Sequence, residues 1–316
     1  MMGRWHSEAL AKRADCKLHT LVGRKADTTA AFAAEFGFKI WTTDLTEALV
    51  NDELDAVIIA SPSENHTKHA TECLLHNKHI LVEIPLAMSE IDAEYIVKTA
   101  KEKNLILGCV QPSRFSDAVK NLKERLKEGE ENIKQMVGKF YTHRLENIGH
   151  TGYERSWTDN LLWHHTLHLL DLGIWLLDKP IRSVQSFMPA VDKYTLTPMD
   201  VFYGIETELD QSFILLGSYY SKLQIHEMLI VTDEETYILD LVNETFISSC
   251  TEERIPSVKD ANVKVTDDFI SALKEGRATL ASGQSLLPSI RILQQVQNNW
   301  EVTHSKLSIP GRSVYG

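Results

Sequence analysis

Ala56-Val57-Ile58-Ile59-Ala60-Ser61-Pro62, followed by an amphipathic stretch near Asn65 to His76 and then by His79-Ile80-Leu81-Val82, is the part of the chain whose reading decides the fold. Two short runs of branched apolar residues on either side of a helix-length segment read as a βαβ unit, since strands buried on both faces lose the polar alternation of half-exposed ones. The pattern extends outward in both directions. Upstream lie a strand over Lys17 to Val22 and a helix through Phe36; downstream lie a helix after Ser89 ending near Asn104 and a strand over Leu105 to Val110. Alternating strands and helices predict a doubly wound α/β domain on a parallel sheet, spanning residues 1–110. Beyond Arg114 the pattern changes. A charged helix at Ala118 to Lys127 and a strand near Gln135 to Thr142 are followed by period-two runs at Ser212 to Ser218, Met228 to Thr232 and Glu235 to Leu241. These predict an α+β domain over residues 111–316 with a mostly antiparallel open sheet, closed by amphipathic segments at Asp267 to Glu275 and Ser285 to Val302.

The bulk numbers narrow the function. The 316 residues carry 33 basic and 44 acidic side chains, a formal net charge of −11. That balance argues against nucleic acid and against an anionic membrane surface as partners. Cys16, Cys73, Cys109 and Cys250 lie far apart with no C-x-x-C pair, so neither a disulfide framework nor a zinc ribbon is expected, and a reducing cytoplasm fits best. There is no long apolar run and no basic-then-apolar leader to suggest membrane insertion or secretion.

Chemistry is expected at Trp163-His164-His165-Thr166-Leu167-His168-Leu169-Leu170-Asp171, where three imidazoles and a carboxylate interrupt an otherwise apolar helix running from Leu161 to Leu177. Read as an α-helix, His164 and His168 are one turn apart and Asp171 follows three residues later, so one face carries all three. An imidazole takes up a proton near neutral pH, which makes His168, with His164, the candidate general base. Asp171 either orients His168 or serves packing within the helix. The same spacing raises zinc as an alternative, but His165 stands where the glutamate of H-E-x-x-H would be, and no metal is expected.

Several stretches resemble one family. Ala60-Ser61-Pro62 with Asn65-His66, Asn77 through Ala87 with its Glu83-Ile84-Pro85, His168-Leu169-Leu170-Asp171, and Asp268 through Arg277 are similar to the glucose-fructose oxidoreductase, inositol dehydrogenase and rhizopine-catabolism (Gfo/Idh/MocA) family. Within it, Arg155-Ser156-Trp157-Thr158-Asp159-Asn160-Leu161-Leu162-Trp163-His164-His165 looks most like the 4-carboxy-2-hydroxymuconate-6-semialdehyde dehydrogenases. The resemblance implies a nicotinamide-dependent dehydrogenase with a Rossmann domain and a substrate domain whose open sheet mediates homo-oligomer formation. It also implies that Ser61, Pro62, His66, Glu83 and Pro85 bind cofactor.

The chain departs from the family in two places. Ile84 replaces the usual lysine of Glu-Lys-Pro, and His164 stands where an aspartate is usual, so proton transfer must rest on histidine. At the N-terminus, Gly3 looks like the last glycine of the phosphate-binding G-x-G-x-x-G, and the strand and glycines before it are absent. A natural start further upstream is the expectation. In the usual strand order the absent strand is central, so its neighbours are expected either to stay unpaired or to be forced together.

After the strand ending at Val22 the chain has Gly23-Arg24-Lys25 in place of an acidic residue for the ribose hydroxyls. Arg24 and Lys25 suit a 2′-phosphate, which favours NADP, with NAD as the alternative. By the same resemblance Arg114, Arg144 and Arg155 are candidates to clamp a carboxylate, with Asn147 and His165 adding hydrogen bonds. A small anionic substrate of aromatic catabolism follows. The expected reaction oxidises a hydroxyl or hemiacetal, with hydride passing to nicotinamide and the proton to His168. A dinucleotide-sensing protein without turnover is the alternative.

Overall fold

Helix α1 (Met2–Ala11) begins the computed structural model, which describes residues 2–148, 152 and 156–304. It is followed by β1 (Thr20–Val22), α2 (Ala26–Phe36), β2 (Ile40–Thr42), α3 (Leu45–Leu49), β3 (Ala56–Ile59), α4 (His66–Leu75), β4 (His79–Val82), α5 (Glu90–Glu102) and β5 (Leu107–Cys109). Local chemistry explains the boundaries. Asp44 caps α3 by accepting from the Thr46 and Glu47 amides, and Gly37 ends α2 at φ 77°.

The parallel ladders form two separate sheets, β1–β2 and β3–β4–β5. Among the described residues nothing pairs β1 with β3. Burial shows the consequence. Strands β4 and β5 are almost wholly buried, whereas Ala56, Val57 and Ile58 of β3 are only half-buried and Val22 of β1 is exposed.

The chain divides into two units: the first takes residues 262–284 besides those up to Val110, while residues 88–90 belong to the second. Residues 262–284 come mostly from α8 (Val258–Glu275) and the turn before α9 (Gly283–Thr303). This return depends on long-range bonds that periodicity does not reveal. His6 bonds Thr266 at 2.8 Å, Arg13 bonds Asp267 at 2.5 Å, and the Cys109 amide donates to the Ala281 carbonyl at 2.7 Å.

The second unit holds α6 (Asp117–Glu128), β6 (Ile133–His143), α7 (Thr166–Leu177), β7 (Ile181–Phe187), β8 (Asp200–Thr207), β9 (Ser212–Ser218), β10 (Tyr220–Thr232), β11 (Thr236–Asp240), β12 (Thr245–Ile247) and β13 (Glu252–Arg254). Its eight strands run in the order β13-β12-β11-β10-β6-β9-β8-β7, antiparallel except for the β6–β9 pair. Helix α7 lies on β6 and β9. The approach is close enough that a Cβ at Gly173 would sit 2.3 Å from the Phe213 ring, so glycine is required there. The leucines of α7 are sealed against the sheet, each contributing roughly 1.5–3 kcal/mol.

The segment expected to be one continuous helix from Leu161 begins differently. Leu161–His165 is a π-helical turn, capped by Asn160 accepting from the Trp163 amide at 2.9 Å, and the α-helix starts at Thr166. The wider turn changes the rotational phase between His164 and the residues after it.

Candidate active site

His164, His165 and His168 each keep partial solvent access, whereas Leu167, Leu169, Leu170 and Asp171 are sealed. The rings form a compact group: His164 and His165 have centroids 4.7 Å apart, and His164 and His168 6.2 Å apart. A fourth imidazole joins them from the sheet. His226 on β10 pairs in register with Phe140 on β6, and Phe140 contacts both His226, at 5.1 Å, and His165, at 4.6 Å. Burial, with the neighbouring His164 and His226, holds the His168 imidazole well below its ordinary range. Burial likewise lowers His226 to about 4. Imidazoles of this kind are neutral at neutral pH.

His165 is held from both sides. Arg144 donates to its Nε2 at 2.9 Å, and its Nδ1 lies 2.6 Å from the Tyr219 hydroxyl. A guanidinium only donates, so Nε2 carries the lone pair and Nδ1–H donates to the Tyr219 oxygen. Burial lowers His165 too, with His164, Arg144, His168 and His226 adding to it, which agrees with a neutral ring. Arg144 also donates to Asn147 Oδ1, and Asn147 Nδ2 donates to the Ser156 carbonyl at 2.6 Å. His165 and Asn147 thus use their polar atoms to hold Arg144 in place. Arg155 lies outside the described residues.

Two expectations are corrected here. Asp171 does not reach His168. It accepts from Arg114 Nε at 2.8 Å and Nη2 at 2.6 Å, with both side chains 1% exposed. Arg114 also donates to Ser285 at 3.0 Å and stacks on Trp175. Its guanidinium is committed inside the protein, so it is not a substrate clamp. Burial pushes the Asp171 carboxyl upward, against the pull of Arg114. The neighbour of His168 is instead Gln111, whose Oε1 lies 3.2 Å from His168 Nδ1.

In the first unit the predicted cofactor residues sit at strand ends. Gly23 follows β1, and a Cβ there would fall 2.0 Å from Thr29 Oγ1, so only glycine lets the chain pass over the start of α2. Lys25 is the N-cap of α2 and makes no side-chain cap, and Arg24 precedes it. Gly3 lies in the first turn of α1 with open space where a side chain would be. Ser61 and Pro62 follow β3, and Glu83 and Pro85 follow β4. His66 has a different role from the one expected. It is 1% exposed, with Nδ1 2.7 Å from the Pro85 carbonyl and Nε2 2.9 Å from the Ser61 carbonyl, so it ties the two turns together and does not face a ligand. Glu83 is held by His6 Nε2 at 3.0 Å.

His6, Gln111, Tyr219 and His226 were not visible as site residues in the sequence. Each lies at least 54 residues along the chain from its partner, or across a ladder, and none stands in a motif.

Residues 1–110 match the family model described as an oxidoreductase family with NAD-binding Rossmann fold, and residues 117–247 match that for bacterial oxidoreductases, C-terminal. A 4-carboxy-2-hydroxymuconate-6-semialdehyde dehydrogenase from Sphingobium sp. strain SYK-6 is 30% identical over 300 residues, covering 93% of this chain and 94% of that one. The chain belongs to the Gfo/Idh/MocA oxidoreductase family. It is accordingly an NAD(P)-dependent dehydrogenase with a Rossmann domain and a C-terminal domain built on a mostly antiparallel sheet. A scyllo-inositol 2-dehydrogenase (NADP(+)) from Bacillus subtilis is 32% identical over 119 residues, 38% of this chain and 36% of that one. The fold is shared with a levoglucosan dehydrogenase solved with NADH and levoglucosan, at a TM-score of 0.81 and 16% identity, covering 94% of each chain. Among the described residues no helix is long and apolar enough to cross a membrane, and no group of three His, Cys, Asp or Glu side chains is arranged to hold a metal ion.

Proposed function

We propose that the protein oxidises a hydroxyl, the cyclic hemiacetal of a carboxylated semialdehyde from aromatic catabolism, with NADP as acceptor and His168 as general base. The observation that carries this reading is the histidine cluster. Its three members on the Leu161–Leu177 segment keep solvent access on an element whose other residues, Trp175 apart, are sealed, and a fixed arginine stands beside them. Bound NADP+ supplies the hydride acceptor. The residues present suit it: the Gly23 cradle with Arg24 and Lys25 offers a cationic turn to a 2′-phosphate, and the first turn of α1 offers amides to the pyrophosphate. Ser61, Pro62, Glu83 and Pro85 stand at the strand ends where ligands of open α/β sheets bind. His168 takes the hydroxyl proton, and His164 lowers the affinity of its neighbour for protons by proximity. Arg144 attracts a substrate carboxylate, positioned by His165 and Asn147. Ile84 holds the place of the usual lysine and cannot share the proton transfer.

The relative from Sphingobium supports the substrate class. The separation of β1–β2 from β3–β4–β5 favours a second reading, dinucleotide binding without turnover. Incubating the protein with NADP+ and 4-carboxy-2-hydroxymuconate 6-semialdehyde, and following the appearance of NADPH, decides between them. NADPH formed at a rate dependent on the semialdehyde supports the dehydrogenase; dinucleotide binding with no reduction supports the sensor.

A homo-oligomer is proposed as well. The sheet face opposite α7 exposes Phe187 and Phe202, stacked at 5.2 Å, with Ile214 and Ile238, an apolar surface suited to a second copy of the chain. The reducing cytoplasm is the proposed compartment, since among the described residues no disulfide joins the cysteines. A small anionic substrate, with neither nucleic acid nor membrane as partner, completes the reading.

A further inference from the structure

We propose that Gln111 is a positioning residue for the base: its carboxamide oxygen holds the proton of His168 on Nδ1, leaves the basic lone pair on Nε2, and turns its own amide N–H groups toward a substrate oxygen. The inference rests on the reading of His168 as the base.

The geometry is a staple of two rungs. Gln111 is the N-cap of a 3₁₀ turn, Pro112–Phe115, and in such a turn side chains three residues apart lie on one side. Gln111 and Arg114 have that spacing. So do His168 and Asp171 on α7, and the structure matches the pairs in order: Gln111 with His168 at 3.2 Å, Arg114 with Asp171 at 2.6 and 2.8 Å. The buried ion pair fixes the register of the turn against the helix, and the register delivers the carboxamide to the imidazole. Gln111 is 1% exposed, so water does not compete for the bond.

The direction of that bond follows from its atoms. A carboxamide oxygen only accepts, so Nδ1 is the protonated nitrogen and, in the neutral ring, Nε2 is bare. The Nε2 of Gln111 itself is buried with no partner among the described residues. Its amide hydrogens are donors in want of an acceptor, and a hydroxyl or carboxylate oxygen of the substrate is the acceptor proposed. A neutral amide is suited to this place. It orients the ring as the carboxylate of a catalytic triad does, without adding the negative charge that would raise the affinity of the base for its proton. The charged and titratable groups around His168 are His164 and His165 on the preceding turn, His226 on β10, Arg144 beyond β6, and the closed Arg114–Asp171 pair.

The test uses the whole protein with NADP+ and 4-carboxy-2-hydroxymuconate 6-semialdehyde. His168→Asn is expected to lower kcat by about 10²–10⁴-fold with NADPH binding retained. Gln111→Glu is expected to move the acid limb of kcat/KM to higher pH by about one to three units, because the carboxylate stabilises the imidazolium. A residue-111 side chain turned away from the ring moves no limb, because its carboxylate would not reach the imidazole. An inactive His168→Asn with an unmoved limb in Gln111→Glu overturns the inference and leaves the base in place; an active His168→Asn overturns the base itself. Nitrogen-15 NMR of the His168 ring in the unsubstituted protein reads the tautomer without turnover. A protonated Nδ1 and bare Nε2 support the proposal; the opposite tautomer refutes it whatever the variants do.

Discussion

Replacing Asp171 by alanine is expected to unfold the protein more readily, with the loss in stability exceeding any direct loss of catalysis. The mutation removes two charge-assisted hydrogen bonds, at 2.6 and 2.8 Å, and leaves the Arg114 guanidinium 1% exposed with its carboxylate gone. Breaking one side of such a buried pair costs about 3–5 kcal/mol, most of it the uncompensated charge that remains. With a urea slope of about 3 kcal/mol/M, the midpoint falls by about 1–1.7 M. Ser285 and Trp175 still contact Arg114 and recover only a part of this. The double variant Arg114→Met/Asp171→Leu removes both charges and keeps the volume, so its midpoint should return most of the way to that of the parent. Urea unfolding followed by circular dichroism, with kcat measured on the same samples, is the assay. An Asp171→Ala protein of parental stability that loses its kcat would refute the reasoning and restore Asp171 as a direct partner of His168. A double variant as unstable as the single one would refute the unpaired-charge argument.

Stability should also fall on acidification. His165, His168 and His226 have folded-state affinities for protons below the unfolded value, so the unfolded chain takes up protons first; their contribution is intact above about pH 6.5 and is lost as pH falls toward the value of about 4 held by His226, by roughly 1.4 kcal/mol per pH unit for each histidine. Equilibrium unfolding across that range measures the slope, and His226→Phe, which also removes a buried nitrogen lacking a partner among the described residues, should flatten it. Arg24→Ala should weaken NADPH binding by about tenfold or more and leave NADH binding nearly unchanged, as read by fluorescence titration; equal losses for both would point away from a 2′-phosphate contact. Arg144→Met should raise KM for a carboxylated substrate more than it lowers kcat, and a kcat effect alone would place the arginine outside the substrate site. Phe202→Glu should shift the protein to a smaller species in sedimentation, since it puts a charge on the apolar sheet face, and an unchanged mass would remove that face from the interface.

Short-range patterns were legible in the chain because they are written in neighbouring residues. The β-branched runs at Ala56 and His79, the period-two run at Ser212 to Ser218 and the buried leucines around His168 all formed the elements their spacing implied. The histidines were conspicuous because polar groups in an apolar helix need partners. Which partners they have was settled by tertiary structure. The π-helical turn at Leu161–His165 changed the phase of the helix, and the 3₁₀ turn after β5 brought Gln111 and Arg114 to His168 and Asp171, each across 57 residues of chain. His226 joined through a cross-strand pair with Phe140. Periodicity reports which face of an element is buried, but hydrogen-bond and ion-pair partners depend on chain reversals and register over long sequence separations. In this chain the sequence by itself determined the family and the architecture and drew attention to the histidines; folding alone decided that Asp171 serves Arg114, that His66 clamps two turns, and that a glutamine stands beside His168.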